Sequence, residues 1–324
     1  MGQGSSEFDL IARYFCLGVP SVWDSQGIGD DCAIVKIGNQ SVAITSDTVA
    51  LGTHFLLDAD PYTVARKALA VNLSDLAAAG AIPRAFFLAI SLPSNDSVWL
   101  ERFSIGLKEE AQRYGCALLG GDTTRSVMLD GQRAPTTMTI TAMGEALSPR
   151  TRQGAQVGDD IWVSGTLGDA YAALKLRWGH WEGELTPYLA SRMDTPTPRV
   201  ALGQALNGVA RASADVSDGF LADLGHILER SQVGARLYAE RFLTSDDLRQ
   251  FSTDRQWEAM LTGGDDYELV WTAPVEYRTQ IEALSTPDCP VTRVGEIVES
   301  GMTVLDSQGA ALEINRLGFD HFGE

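Results

Sequence analysis

Asp60-Pro61-Tyr62-Thr63-Val64-Ala65-Arg66-Lys67-Ala68-Leu69-Ala70-Val71-Asn72-Leu73-Ser74-Asp75-Leu76-Ala77-Ala78-Ala79-Gly80 reads as one helix with an acid on the wrong side. Asp60 supplies the cap, and Pro61 suits the first helical position, where no N–H is needed. Val64, Ala68, Val71, Asp75 and Ala78 then recur at spacings of four, three, four and three, so Asp75 falls on the apolar stripe. A solvated acid belongs on the opposite face, with Arg66 and Lys67. Gly80 and Pro83 stop the helix, and an apolar strand follows over 85–91.

Outward from this helix, further acids sit among Gly, Ser and Thr, in Gly27-Ile28-Gly29-Asp30-Asp31, Thr45-Ser46-Asp47-Thr48 and Gly120-Gly121-Asp122-Thr123-Thr124. Residues 32–37 and 41–45 read as strands joined by a Gly38-Asn39 turn, so Asp31 precedes one and Asp47 follows the other. A helix over about 96–114 leads to a strand over 116–119, which delivers Gly120-Gly121-Asp122 to its C-terminal end, the edge where ligands gather in open α/β sheets. Another strand spans 136–143, and a polar run rich in Gly and Arg over 149–158 marks a domain boundary, giving domains 1–149 and 150–324.

The second half repeats the theme. A strand over 160–164 runs into Gly165-Thr166-Leu167-Gly168-Asp169 at a helix start, a turn whose N–H groups can hold phosphate. Residues 178–198 read as irregular surface. Ala214-Asp215-Val216-Ser217-Asp218-Gly219 precedes a helix with Phe220, Leu221, Leu224, Ile227 and Leu228 on one face, and Thr262-Gly263-Gly264-Asp265-Asp266-Tyr267-Glu268 precedes a strand over 269–272. A helix over 275–284, a strand over 292–298 and the tail Leu317-Gly318-Phe319-Asp320-His321-Phe322 complete the chain. Near the N-terminus Phe8, Ile11, Ala12 and Phe15 define a short docking helix behind a flexible leader, residues 1–6.

An isolated Asp-Asp or Gly-Asp pair is ordinarily a turn or a cap. Here Asp31, Asp47, Asp75, Asp122, Asp215 and Asp218 all lie at element ends or on an apolar face, most with a hydroxyl beside them. Carboxylates in tight backbone cost several kcal/mol unless a cation compensates them. Convergence of these acids therefore calls for a positive partner, and hard oxygen ligands of this kind suit Mg²⁺ carrying phosphate.

The formal net charge of −18 argues against nucleic acid or an anionic membrane as partner. Four cysteines without C-x-x-C spacing point to buried thiols in a reducing cytoplasm. No apolar run reaches the roughly 18 residues of a membrane span. None of the four lysines follows a glycine, which excludes a P-loop, and Cys32 stands where a dinucleotide fingerprint needs its third glycine. The histidines His54, His180, His226 and His321 include no pair at helical zinc spacing. His54, close after Asp47, either meets a ligand or donates to a backbone carbonyl.

Gly-Ile-Gly-Asp-Asp-Cys-Ala at 27–33, Thr-Ser-Asp-Thr with Gly-Thr-His-Phe at 45–55, Lys-Ala-Leu-Ala-Val-Asn-Leu-Ser-Asp-Leu-Ala-Ala-Ala-Gly at 67–80, Gly-Gly-Asp-Thr-Thr at 120–124, Asp-Val-Ser-Asp-Gly at 215–219 and Gly-Gly-Asp-Asp-Tyr-Glu-Leu at 263–269 resemble the thiamine-monophosphate kinases, relatives of aminoimidazole ribotide synthetase. The resemblance implies an α/β (α+β) fold of two domains, with mixed sheets flanked by helices and a homodimer formed through the N-terminal domain with ATP near the interface. It implies ATP-dependent phosphorylation of thiamine monophosphate to thiamine diphosphate with several Mg²⁺ ions. Residue by residue, Asp31, Thr45, Ser46, Asp47, Asp75, Asp122, Asp215 and Asp218 match metal positions, and Gly121, Asp122, Ser217 and Arg152 match nucleotide contacts. His54, Asp265 and Phe319 match substrate contacts, although the family usually has Glu at 265, and Arg150 competes with Arg152 for the nucleotide.

A phosphate monoester is already deprotonated near neutral pH, its second pKa being about 6, so no general base is required. The expected mechanism is direct in-line transfer assisted by metal. The alternatives are another ATP-using enzyme of the same fold, of ribotide cyclo-ligase or selenophosphate synthase type, and a non-catalytic protein that binds metal and thiamine phosphates. A selenophosphate synthase would need a reactive Cys with a nearby Lys in an N-terminal glycine-rich loop, which Cys16, Cys32 and Lys36 do not supply.

Overall fold

The expected helix around Asp75 forms, and both halves of the chain close on it. The computed structural model describes residues 7–17, 25–26, 28–314 and 317–319, so the leader 1–6, Gly27 of the glycine-rich turn, and His321 and Phe322 of the tail lie outside it. Helix α1 (Glu7–Leu10) continues into a π turn, and Ala12 and Phe15, expected to dock, are exposed. The first half comprises β1 (Ser25–Gln26), β2 (Ala33–Ile37), β3 (Gln40–Ala50), α2 (Pro61–Ala78), β4 (Ile82–Leu92), α3 (Ser97–Tyr114), β5 (Ala117–Arg125), β6 (Met128–Leu129), β7 (Gln132–Arg133) and β8 (Thr137–Glu145). The second half comprises β9 (Asp160–Ser164), α4 (Asp169–Arg177), α5 (Pro187–Asp194), α6 (Val200–Ala205), β10 (Ala212–Val216), α7 (Phe220–Ser231), β11 (Gly234–Tyr238), α8 (Thr253–Thr262), β12 (Glu268–Ala273), α9 (Arg278–Glu282), β13 (Val291–Val298) and β14 (Met302–Leu305).

Each half builds a mixed six-stranded sheet, in the orders β1-β2-β3-β8-β4-β5 and β10-β12-β9-β13-β11-β14. Only β4–β5 in the first and β11–β14 in the second pair in parallel. Asp60 caps α2 by accepting the Tyr62 N–H at 3.1 Å. This helix lies between the halves, against β3, β8 and α3 on one side and α6, β10 and β12 on the other. That double contact explains why its buried residues include Val64, Leu69, Leu73 and Leu76 rather than one narrow stripe. It also explains Lys67, which is buried at 2% exposure instead of facing solvent.

Close packing at the C-terminal end of α2 depends on small residues. A Cβ on Gly203 of α6 would meet the Ala77 carbonyl oxygen at 2.2 Å. Arg150 fastens the same corner: Nη2 donates to the carbonyls of Gly203, Ala77 and Ala78, Nη1 to Asn207 Oδ1, and Nε to Ser213 Oγ. Burial lowers its pKa to about 10.

Several boundaries differ from the expectation. β3 runs past Thr45, and β5 runs past Leu119, so Asp47 and Asp122 sit within strands and not after them. Residues 178–198, expected to be irregular, contain α5, capped by the Thr186 hydroxyl on the Leu189 N–H at 3.2 Å. In the Gly165–Gly168 turn, two of the N–H groups are already taken, that of Gly168 by Asp266 Oδ2 at 2.7 Å and that of Gly165 by the Pro290 carbonyl at 2.8 Å.

Replacing Arg150 strands several buried acceptors, so Arg150→Ala is expected to cost about 3 kcal/mol or more. Urea unfolding monitored by circular dichroism measures this, and a midpoint equal to the wild type would contradict the structural role.

Candidate active site

β2, β3, α2 and β10 meet at their acid-bearing positions. Asp31 enters from the turn before β2, Asp75 from the last turns of α2, and Asp215 from near the C-terminal end of β10. One carboxylate oxygen from each lies within 4.8 Å of the other two. Thr45 Oγ1 on β3 donates to Asp75 Oδ2 at 2.5 Å. Two residues on, Asp47 projects from the same face of β3, and its main-chain N–H is held by Asn72 Oδ1 of α2 at 3.2 Å.

Burial, then the negative charges of Asp47, Asp215 and Asp31, push the Asp75 carboxyl well above the ordinary carboxylate range. Burial, with Asp31 next, does the same to Asp215. Asp47 is raised by burial against an opposing hydrogen bond with Asp75. Asp31 is raised by burial although Arg152 opposes the shift. Arg152 Nη2 donates to Asp31 Oδ1 at 2.5 Å and its main-chain N–H to Asp30 Oδ1 at 2.6 Å. Burial disfavours the guanidinium charge, but Asp31, Asp223 and Asp215 outweigh it and raise its pKa. Among the described residues, one guanidinium against four carboxylic acids leaves the junction short of positive charge.

The two arginines in competition now differ. Arg150 is engaged by the protein at all three nitrogens, whereas Arg152 borders the acids and keeps a buried Nε with no hydrogen-bond acceptor among the described residues.

Other expected site residues stand elsewhere. Ser46 points to the opposite face of β3, where its hydroxyl meets Thr141 Oγ1 at 2.9 Å. The strand register puts Thr48 beside Thr139, Thr139 beside Ala89 and Ala89 beside Asp122. Asp122 and Ser46 therefore share the outer face of the first sheet, away from α2. Three strand spacings, roughly 14 Å, separate β3 from β5, so the pair cannot share an ion within one chain. Gly121 is required beside Asp122: its φ is +148°, and a Cβ there would meet the Leu88 carbonyl oxygen at 1.8 Å. Every residue of β5 is exposed.

Around the inner cluster, the loop after β10 gathers the remaining positions. The Asp265 N–H donates to the Ser217 carbonyl and the Tyr267 N–H to the Val216 carbonyl, both at 2.8 Å. These bonds hold Asp265 and Tyr267 at φ of +75° and +53°, a left-handed strain typical of functional loops. The Phe319 N–H donates to the Asp218 carbonyl at 2.8 Å and leaves a ring 48% exposed. His54 Nδ1 accepts the Ala50 N–H at 3.1 Å, which fixes the imidazole proton on Nε2.

Two participants escaped the sequence reading. Lys67 Nζ donates to Asp265 Oδ2 at 2.5 Å and joins the two halves. Asp223 receives the N–H groups of Ser217, Asp218 and Gly219. Asp223 was legible: it lies three residues after Phe220 and four before Ile227, on the apolar stripe of α7, the same anomaly that marked Asp75.

Models of the AIR synthase related protein family match the chain, the N-terminal domain over residues 29–146 and the C-terminal domain over 156–307. The thiamine-monophosphate kinase of Haemophilus influenzae is 41% identical over 332 aligned positions, covering 98% of each chain. That of Escherichia coli is 41% identical over 331 positions with the same coverage. The solved structure of AaThiL complexed with AMPPCP and TMP superposes with a TM-score of 0.83 at 31% identity, covering 98% of this chain and 97% of that one. The thiamine-monophosphate kinase structure from Stenotrophomonas maltophilia gives 0.77 at 41% identity, covering 94% and 98%.

Removing one charge from the inner cluster should stabilise the protein in the presence of a chelator. Asp75→Asn is expected to raise the melting temperature by a few °C, on the order of 1–3 kcal/mol. The folded chain holds protons on these raised carboxyls that the unfolded chain has released, so wild-type stability falls as pH rises above the ordinary carboxylate value through the raised ones. Calorimetry between pH 5 and 8 should show a shallower decline for the variant, and a variant less stable than wild type at pH 8 would refute the repulsion.

Proposed function

The chain belongs to the AIR synthase related family and, within it, to the thiamine-monophosphate kinases, and from that membership we propose that it transfers the γ-phosphoryl group of ATP to thiamine monophosphate, forming thiamine diphosphate. The observation that carries the reading is the meeting of Asp31, Asp75 and Asp215 within 4.8 Å beside the Arg152 guanidinium. The donor set fits Mg²⁺, a hard cation that takes carboxylate oxygens and keeps several waters. Two oxygens on one Mg²⁺ stand at most about 4.2 Å apart, so a slight closure, an intervening water or a second ion accommodates the observed spread. Asp31, Asp47, Asp75 and Asp215 would hold the inner ions, Thr45 orients Asp75, and Asp218 and Asp122 would serve further ones. When bound, Mg²⁺ would neutralise the phosphates and the charge on the leaving group.

The chain's own groups do the positioning. His54, whose Nδ1 accepts a backbone N–H, would meet the acceptor phosphate. Phe319 offers an exposed ring to stack on the heterocycles of thiamine. Asp265, one methylene shorter than the usual Glu, is aimed by its bond to Lys67. Arg152, Gly121, Asp122 and Ser217 take the nucleotide. The acceptor oxygen needs no base, so transfer is direct and in line, and its rate comes from alignment and electrostatic stabilisation.

Dimerisation supplies what one chain lacks. The nine exposed residues of β5 form an edge, unpaired on its outer side among the described residues, that includes Leu118 and Leu119, and a second copy packed over this outer face would bring Asp122 and Ser46 positions together from two chains. In this reading residues 1–149 provide the metal, nucleotide and dimer surfaces, and 150–324 complete the nucleotide and substrate site. A cytoplasmic location accords with free Cys16, Cys32, Cys116 and Cys289 and with described helices none of which is long and apolar enough to cross a membrane.

Thiamine diphosphate formation from ATP and thiamine monophosphate, followed by chromatography, tests the assignment. Asp122→Asn is expected to lower turnover by at least about 100-fold, and wild-type activity would remove Asp122 from the site. Incubation with [γ-³²P]ATP without acceptor should leave the protein unlabelled; a stable phosphoenzyme would overturn direct transfer.

A further inference from the structure

Asp223 begins α7 on the side that packs inward with Phe220, Leu224 and Ile227, and it is 1% exposed. Its two oxygens do different things. Oδ2 accepts three consecutive main-chain N–H groups, from Ser217 at 3.0 Å, Asp218 at 3.1 Å and Gly219 at 3.1 Å. This one oxygen sets the course of the turn that carries Asp215, Ser217 and Asp218 from β10 into α7. Oδ1 is buried without any hydrogen-bond partner among the described residues.

An ordinary helix cap would be satisfied by the first arrangement and would leave its second oxygen to solvent. Here solvent is excluded, and the charges that act on Asp223 are those of Asp218, Asp215 and Asp31, with Arg152 opposing them. Arg152 is already bonded to Asp31, so this buried carboxylate oxygen is left without a hydrogen-bonded positive partner among the described residues. The turn also prevents Asp223 from swinging away, since doing so would break three hydrogen bonds.

We propose that Asp223 Oδ1 belongs to the divalent-cation centre of the Asp215–Asp218 turn, binding the ion directly or through one of its waters, while Oδ2 holds the turn in place. The inference rests on the Mg²⁺ reading given above and adds a residue to it. Ligand-supporting carboxylates of this sort change metal affinity by 10–100-fold when altered.

Mn²⁺ binding followed by electron paramagnetic resonance, alongside thermal melts, separates the possibilities without recourse to activity. Asp223→Asn retains an oxygen for the three N–H groups and removes the charge. It should melt within a few °C of wild type yet bind Mn²⁺ about 10-fold or more weakly, whereas Asp223→Ala should lose stability as well. Asp75→Asn serves as the control for the inner cluster. If D75N weakens Mn²⁺ binding and D223N does not, Asp223 is a cap only and the inference fails alone. If neither variant changes Mn²⁺ binding, the metal reading fails and takes the inference with it. Should D223N not fold, an anomalous difference map of Mn²⁺-soaked wild-type crystals decides: a peak within about 4 Å of Asp223 Oδ1, direct or single-water reach, supports the proposal, and its absence overturns it.

Discussion

Unbalanced negative charge at a buried junction is the constraint on which this structure turns. Asp31, Asp47, Asp75 and Asp215 arrive from four different elements, and among the described residues Arg152 reaches in to oppose them. Folding against that repulsion is possible because α2 buries apolar side chains on both flanks, at about 1.5–3 kcal/mol for each fully buried Leu or Val. Several such residues, among them Leu69, Leu73 and Leu76, outweigh one strained carboxylate cluster. The same helix then serves stability along most of its length and chemistry at one position near its end.

Rigidity around the cluster is unevenly supplied. The Arg150 lock and the close approach of Gly203 fix the C-terminal end of α2, one turn beyond Asp75. On the substrate side, the positions expected to meet thiamine phosphate belong to loops stitched together by main-chain bonds, from Asp265 and Tyr267 to the β10 end and from Phe319 to Asp218. Lys67 connects these two regimes, since it is rooted in α2 and holds Asp265 of the other half.

What could be read in the sequence follows from the length scale of each signal. The α2 cap, its span and the anomalous Asp75 are local and periodic, and they appear as expected. Strand ends are not local: β3 and β5 extend as far as β8 and β4 pair with them, and no propensity within the 45–48 or 120–124 stretches states that partnership. The side of the strand taken by Ser46 follows from period two once Asp47 is placed, but the placement needs the sheet. Lys67 was misjudged because a helix between two layers has no solvent face at that point. The helix within 178–198 was missed although Thr186-Pro187 is a legible start. As for function, the recurring Asp-Gly-hydroxyl clusters pointed to metal and phosphate from residues alone, while the identity of the acceptor came from family resemblance and not from physics.

The geometry also answers why so acidic a chain can accept ATP. A net charge of −18 repels a triphosphate at long range, but that field is screened within about 8 Å at physiological salt. At contact distance the sign depends on what the acids hold. Cations gathered on the inner cluster would turn the surface that repels nucleotide into one that attracts it, and the exposed outer face with Asp122 would be completed only when a second chain covers it. Binding would then be conditional on both metal and assembly.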